Sequence, residues 1–232
     1  MNQETLLNTV HSPDDIKNMS LQQLNQLCGE IRDKLIETVS QNGGHLASNL
    51  GVVELTVAIH KVFHAPEDAV VWDVGHQCYV HKILTGRLDQ LDGIRTEGGL
   101  SGFPKRRESE YDSFNTGHSS TSISSAFGIA NAKAIQDQPG KVIAVIGDGA
   151  LSGGLAYEGL NNAGRFKKNF IVILNDNKMS ISQNVGSMAR YLAGIRATPA
   201  YLKTKDRVEN LLLHLPLIGK PIRNFMQHTK SF

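Results

Sequence analysis

The chain has 232 residues, with 24 lysine and arginine residues against 22 aspartate and glutamate residues, which gives a formal net charge of +2. A nearly balanced charge argues against a nucleic-acid-binding protein, and no apolar run approaches the ~18 residues that a membrane-spanning helix needs. The two cysteines, Cys28 and Cys78, do not suggest a disulfide scaffold in a chain of this size. We therefore expect a cytoplasmic protein with neither a nucleic-acid nor a membrane partner.

Helical patterns dominate the first part of the chain after a turn at residues 12–15. A helix is predicted over residues 20–42, because Ser20 and Gln23 have the spacing of a capping box and a glycine pair follows the last turn. A second helix is predicted over residues 49–62, where apolar residues recur before a proline.

Three short apolar runs rich in β-branched residues predict buried strands at residues 69–74, 142–146 and 170–174. A helix of small residues is predicted at 123–135, and a helix at 152–166 joins the last two strands. A strand, helix and strand of these lengths form a unit whose strands are parallel, so their carboxyl ends lie at one edge.

These elements predict an α/β fold with a mainly parallel sheet and helices on both faces. The ligand edge would be formed by the loops after residues 74, 116, 147 and 174. Residues 1–190 are interpreted as a domain that binds a diphosphate and a metal ion, and residues 191–232 as a helical extension, the incomplete end of the same domain. The polar residues 96–116 are predicted to form an ordered surface loop.

Two predicted strand ends carry oxygen-bearing side chains. Asp148 lies within Gly-Asp-Gly-Ala at 147–150, and Asn177 closes Asn-Asp-Asn at 175–177. Because both turns lie at the same edge of a parallel sheet, the two side chains can converge on one ion. Carboxylate and carboxamide oxygens suit Mg²⁺ or Ca²⁺ and disfavour zinc.

The same turn suits a diphosphate. Gly149 lacks a Cβ, so its amide can approach an anion, and the helix predicted to begin near Ser152 directs its positive end there. Asp148 would repel a bare diphosphate, so the arrangement makes electrostatic sense only with a divalent cation between them. Metal and diphosphate are therefore expected as a pair.

Other readings of this turn fit less well. A dinucleotide fingerprint would need glycine or alanine where Ser152 stands, and a phosphate-binding Walker A loop would need Gly-Lys-Ser or Gly-Lys-Thr, which the sequence lacks. An ordinary glycine-containing turn needs no ligand at all. The asparagine cluster after the next strand favours the metal site over that plain turn.

Several longer motifs accompany Gly-Asp-Gly and Asn-Asp-Asn. They are 44–48 (Gly-His-Leu-Ala-Ser), 72–77 (Trp-Asp-Val-Gly-His-Gln), 81–87 (His-Lys-Ile-Leu-Thr-Gly-Arg), 117–124 (Gly-His-Ser-Ser-Thr-Ser-Ile-Ser) and 177–182 (Asn-Lys-Met-Ser-Ile-Ser). Together these segments resemble the 1-deoxy-D-xylulose-5-phosphate synthases, relatives of transketolase that use thiamine diphosphate. The likeness covers about residues 20–190. It implies decarboxylation of pyruvate and transfer of its two-carbon unit to glyceraldehyde 3-phosphate, in the synthesis of isoprenoid precursors.

The resemblance also implies roles for individual residues. The Mg²⁺ ligands would be the side chains of Asp148 and Asn177 and the carbonyl of Met179. His45 would be the active-site histidine near the thiazolium and the substrate. The cofactor contacts would be His76, Gly117, His118, Ser119, Gly149, Ala150 and Asn177.

Some candidates are set aside. The spacing of His76, Cys78 and His81 would spread them around a helix, which argues against a zinc site. The basic residues Arg95 and 105–107 are interpreted as a solvated surface, and Cys28, inside an amphipathic helix, as part of the core.

One implied residue has no counterpart. In the resembling family a glutamate on a second, pyrimidine-binding domain activates the cofactor, and no glutamate of residues 1–232 matches it. The sequence is therefore expected to be the N-terminal portion of such a synthase, inactive alone, in a homodimer or beside a partner chain carrying the pyrimidine domain. A diphosphate-binding subunit of a split transketolase and a non-catalytic remnant stay open as alternatives.

Overall fold

A computed structural model describes residues 5–166 and 169–176 of the chain, which all belong to one compact unit, Met1–Ile181. The predicted extension 191–232 and the predicted ligands Asn177 and Met179 lie outside the described residues.

A parallel sheet forms the centre of the unit. Its strands are β1 (Ala69–Trp72), β2 (Val142–Gly147) and β3 (Phe170–Asn175), and β2 lies between the other two. Both pairings are parallel, and Gly147 at the end of β2 is in register with Asn175 at the end of β3. The predicted strands and their parallel arrangement are confirmed, and their carboxyl ends share one edge.

Seven α-helices surround this sheet in the described part of the chain: α1 (Leu21–Asn42), α2 (Leu46–Leu50), α3 (Val53–Val62), α4 (Tyr79–Lys82), α5 (Ser122–Ile135), α6 (Asp148–Leu151) and α7 (Gly154–Ala163). Short 3₁₀ helices span Leu6–Thr9, Pro13–Ile16 and Leu88–Gly93, and a π-helical turn spans Ile83–Arg87. Among the residues described, no helix combines the length and the hydrophobicity that crossing a membrane would require.

Helices cover both faces of the sheet, as predicted. Trp72 and Val145 belong to a large apolar core that they share with α1, α3 and α4. Successive residues of a strand face opposite sides, and α5 packs against all three strands. Ala126 and Ala130 of α5 are buried, so their small side chains allow close packing.

The first long helix is built as the sequence predicts. The Ser20 side chain accepts a hydrogen bond from the Gln23 amide, and the Gln23 side chain accepts one from the Ser20 amide. The helix ends at Gly43, whose φ of 69° lies in the left-handed region that glycine adopts easily. Leu27 and Ile31 of its apolar face are fully buried.

Two predicted helices differ from the observed ones. The helix expected over 49–62 is two helices, α2 and α3, because Val52 leaves the helical region with φ −119° and ψ 10° while its side chain is buried. The helix expected over 152–166 is shorter: α6 begins directly after β2, and Gly153 is extended before α7 begins. The turn predicted at 12–15 forms part of the 3₁₀ helix Pro13–Ile16.

We predict that Ser20→Ala lowers the free energy of unfolding by about 1 kcal/mol, because it removes the side-chain cap of α1. Urea unfolding followed by circular dichroism measures the change. Ser40→Ala is the matched control, since Ser40 is an exposed residue of the same helix and alanine has the higher helix propensity. Equal destabilisation by both substitutions would contradict the role of the cap.

Candidate functional site

A cleft of about 360 Å³ opens at the carboxyl edge of the sheet. Five of the predicted site residues line it: His76, Ser119, Asp148, Gly149 and Ala150. It is also lined by residues that the sequence analysis did not single out as ligands: Ser48, Asp73, Val74, Gln77, Gly147 and Asn175. The loops after β1 and β2, the turn before α5 and the end of β3 therefore meet at one place.

Three other predicted residues lie close to this cleft in the chain without lining it. Gly117 and His118 precede Ser119 in the same exposed turn before α5. His45 immediately precedes α2, and its ring contacts that of His76. The structure thus brings the three glycine-histidine motifs to one region.

Oxygen-bearing side chains belong to two neighbouring strand ends in the cleft. Asp148 directly follows β2, and Asn175 ends β3. The predicted partner Asn177 is two residues beyond Asn175. Residues 5–166 and 169–176 hold no cluster of three or more His, Cys, Asp or Glu side chains suited to a metal ion.

The two histidines beside the cleft form an edge-to-face pair. The ring centroids of His45 and His76 are 5.3 Å apart with an interplanar angle of 71°, and the Phe103 ring lies 6.4 Å from that of His45. His45 is an exposed residue, and the partial burial of its ring lowers its pKa, which the charge of Arg95 lowers further. Burial likewise lowers the pKa of His76. Both rings are therefore mainly neutral near pH 7, able to accept one hydrogen bond and donate another.

Asn49 holds the backbone around both histidines. This fully buried residue donates hydrogen bonds from Nδ2 to the carbonyl oxygens of His45 and His76, both at 2.8 Å. Its Oδ1 accepts a hydrogen bond at 2.9 Å from the amide of Tyr79. Sequence reasoning missed this residue, because a single asparagine at the start of a helical pattern resembles an ordinary polar helix residue.

A second missed feature is a buried charge network, defined here as His81, Lys82, Arg87, Glu108 and Asp112. Both terminal nitrogens of Arg87 donate to the carboxylate of Asp112, at 2.8 and 2.9 Å, and His81 Nε2 lies 3.1 Å from the same carboxylate. Lys82 pairs with Glu108. The network joins α4 and the π-helical turn after it to the loop expected at the surface.

This network corrects the expectation of a surface loop at residues 96–116. Residues 96–116 contain no helix or strand, as predicted, but Leu100, Asp112 and Thr116 are buried, so the segment is more than a surface loop. Within its charged run, Arg106 and Arg107 are exposed as expected, whereas Glu108 pairs with a fully buried lysine.

The network also fixes its own charge states. Burial raises the pKa of Asp112, but hydrogen bonds from His81 and Arg87 outweigh this and hold that pKa well below its usual range. Burial lowers the pKa of His81 despite its contact with Asp112. The second nitrogen of His81 lies 2.9 Å from His60 Nε2. Both ring nitrogens of His81 therefore have a hydrogen-bond partner, one in Asp112 and the other in His60.

The two thiols are not reactive groups. Burial raises the pKa of both Cys28 and Cys78 to about 12, so each stays protonated at neutral pH. Cys28 belongs to the apolar core, as predicted.

The fold resembles that of a known enzyme. A transketolase from Leishmania mexicana superposes on 73% of this chain and 30% of its own with a TM-score of 0.63, at 22% sequence identity. The parallel sheet with helices on both faces is thus a transketolase-like α/β fold.

The sequence comparisons are more specific. The family model for 1-deoxy-D-xylulose-5-phosphate synthase matches residues 7–232. The chain belongs to that family and corresponds to the N-terminal part of its members. Synthases of this name from Syntrophomonas wolfei and Desulforudis audaxviator are 57% and 56% identical over 93% and 97% of this chain. The chain spans 34% and 36% of their respective lengths.

We predict that Asp112→Ala lowers the free energy of unfolding by about 3–5 kcal/mol, because it leaves the charge of Arg87 buried without its main partner. Denaturant unfolding measures this loss. Glu110→Ala is the control, an exposed acid of the same loop whose removal is expected to change stability by no more than about 0.5 kcal/mol. Similar losses for the two variants would argue against the network.

We also predict that the protein loses stability as the pH falls from 7.5 to 5.5. Burial holds the pKa of His60 well below its ordinary value, and the charges of His81, Lys17 and Arg87 lower it further. The unfolded state therefore takes up protons below about pH 6.5 that the folded state resists. The stability that the neutral ring contributes is present above this pH and is lost as the pH falls toward its folded-state pKa.

Urea unfolding at the two pH values tests this expectation. His60→Gln should reduce the difference in unfolding free energy, whereas His64→Gln, an exposed histidine four residues further on, should leave it as in the wild type. A His60→Gln variant with undiminished pH dependence would show that the loss arises elsewhere.

Proposed function

We propose that this chain supplies the diphosphate- and Mg²⁺-binding part of a 1-deoxy-D-xylulose-5-phosphate synthase. One observation carries the proposal: Asp148, Gly149 and Ala150 share a cleft with His76 and Ser119, at the edge where parallel strands end. Membership of the synthase family supports the identity of the cofactor as thiamine diphosphate.

The residues of the cleft fit such a ligand. A glycine-containing turn exposes Gly149, so a diphosphate can approach the main chain, and the Asp148 carboxylate requires a cation beside that anion. We assign the Mg²⁺ contacts to Asp148, Asn177 and the Met179 carbonyl, the last two through the family motif. The cofactor contacts assigned by that motif are His76, Gly117, His118, Ser119, Gly149, Ala150 and Asn177.

Thiamine diphosphate, when bound, supplies carbanion stabilisation for a keto-acid substrate. The chain's own residues would bind the diphosphate end and hold the substrate region in place. His45, kept mainly neutral by burial and by Arg95, can hold or pass a proton beside that region. His76 contacts the His45 ring and restricts its orientation.

The substrates we assign are pyruvate and glyceraldehyde 3-phosphate, on the strength of the family. The chain is 57% and 56% identical to two named synthases, whereas the transketolase of similar fold is 22% identical to it. These identities favour a synthase over a split transketolase. Two buried, free cysteines agree with a reducing compartment such as the cytoplasm.

Turnover is proposed to need more than these 232 residues. The chain spans about a third of its curated relatives, 34% in one case, and the glutamate that activates the cofactor in the family has no match in it. We infer that these residues bind the cofactor, and that catalysis also requires a pyrimidine-binding domain that carries the activating glutamate, as part of a longer chain that dimerises or on a partner chain.

We predict that Asp148→Ala abolishes Mg²⁺-dependent binding of thiamine diphosphate, because the diphosphate then loses a cation ligand. Isothermal titration calorimetry with the cofactor, with and without Mg²⁺, measures the effect. Glu158→Ala is the control, since Glu158 is an exposed acid on α7. Undiminished binding by Asp148→Ala would overturn the metal assignment.

An activity assay tests the rest of the proposal. Purified chain with Mg²⁺ and thiamine diphosphate receives pyruvate and glyceraldehyde 3-phosphate, alone and with a separately produced pyrimidine-binding domain of a relative. We expect product only with that domain. Product from the chain alone would contradict the requirement, and absence of cofactor binding in calorimetry would favour a non-catalytic remnant.

A further inference from the structure

Asp73 connects the end of β1 to the turn that carries Ser119. It follows β1 directly, is almost fully buried, and its two carboxylate oxygens accept hydrogen bonds from the amides of Ser120 and Ser122 at 2.8 and 2.9 Å. The beginning of α5 is thus held against the end of the first strand.

Ser120 extends this connection to α6, the short helix after β2. Its hydroxyl donates a hydrogen bond of 2.7 Å to the carbonyl oxygen of Ala150. One residue therefore joins the turn containing Ser119 to the helix containing Gly149, and both Ser119 and Gly149 line the cleft.

The backbone of Ser120 is strained. Its φ of 69° lies in the left-handed region, which a residue other than glycine adopts at a cost unless the surroundings hold it there. The side chain is buried, and a Cβ placed on Gly153 would collide with the Ser120 hydroxyl oxygen. The position of the Ser120 hydroxyl therefore requires a residue without a Cβ at position 153.

We propose that Ser120 is a positioning residue of the candidate site. Its hydroxyl sets the spacing between the turn at residues 117–119 and residues 148–150 of the short helix α6, so that both present their polar groups to a single diphosphate. This inference rests on the proposed function, because it assumes that one ligand contacts both segments. Preorganised loops avoid the ordering cost that binding would otherwise incur.

Two substitutions separate positioning from stability. Ser120→Ala removes the hydroxyl and keeps the strained backbone, whereas Ser120→Gly removes the hydroxyl and relieves the strain. Ser122→Ala is the matched control. Ser122 is the buried first residue of α5, and its hydroxyl has no hydrogen-bond partner in the described part of the protein. Its amide contact with Asp73 is a main-chain bond that alanine keeps.

Three measurements are made on each variant of the full chain. Calorimetry with Mg²⁺ and thiamine diphosphate should show an affinity about five- to tenfold weaker for both Ser120 variants, because each loses about one hydrogen bond. The affinity of Ser122→Ala should be unchanged. Amide hydrogen exchange without ligand should accelerate at residues 147–153 in the Ser120 variants. The thermal midpoint of Ser120→Gly should equal or exceed that of Ser120→Ala.

The outcomes distinguish the two levels of the proposal. If the wild type binds no thiamine diphosphate, the proposed function fails, and the exchange data alone still decide whether Ser120 couples the loops. If the wild type binds and Ser120→Gly binds equally well, or Ser122→Ala weakens binding as much, the positioning role is overturned. Unchanged exchange at 147–153 in both Ser120 variants would overturn the coupling itself.

Discussion

Parallel pairing of β2 with both of its neighbours is the constraint on which the described site depends. Hydrogen bonds on both sides of β2 fix the registers of β1 and β3, so that all three strands end at the same edge. Asp73, Asp148 and Asn175 follow or close these strands and consequently line one cleft. A slip of one residue in either pairing would turn every side chain of a strand to the opposite face and dismantle both the core and the cleft.

Around that edge, buried polar side chains hold the loops and exposed residues remain available to a ligand. Asn49 fixes the backbone of two histidines, and Asp73 and Ser120 link the turn before α5 to both neighbouring strand ends. These bonds lie in a region of low dielectric, where unpaired polar groups are costly, so the anchoring is specific. Ser119 and Gly149 are exposed beside them.

Local patterns in the sequence predicted the strands, the parallel unit and the capping box at Ser20, because each depends on neighbouring residues or on apolar periodicity. The break at Val52 was not predicted, since burial of that side chain outweighs helical continuity. Asn49 and Asp112 each also bind partners 25 to 31 residues away, which no local pattern encodes. The motifs identified five of the residues that line the cleft, whereas its other lining residues and the side chains that support them became evident only in three dimensions.

The spacing of Glu108 and Asp112 has a consequence for variation among related chains. The two acids are four residues apart and pair with Lys82, at the end of α4, and with Arg87, which lies beyond a kink at Thr85 and Gly86. Inserting or deleting a residue between the acids would carry one of them out of reach and leave a buried cation unmatched. Length changes in this family should therefore avoid that interval and accumulate outside it, where the chain is exposed to solvent.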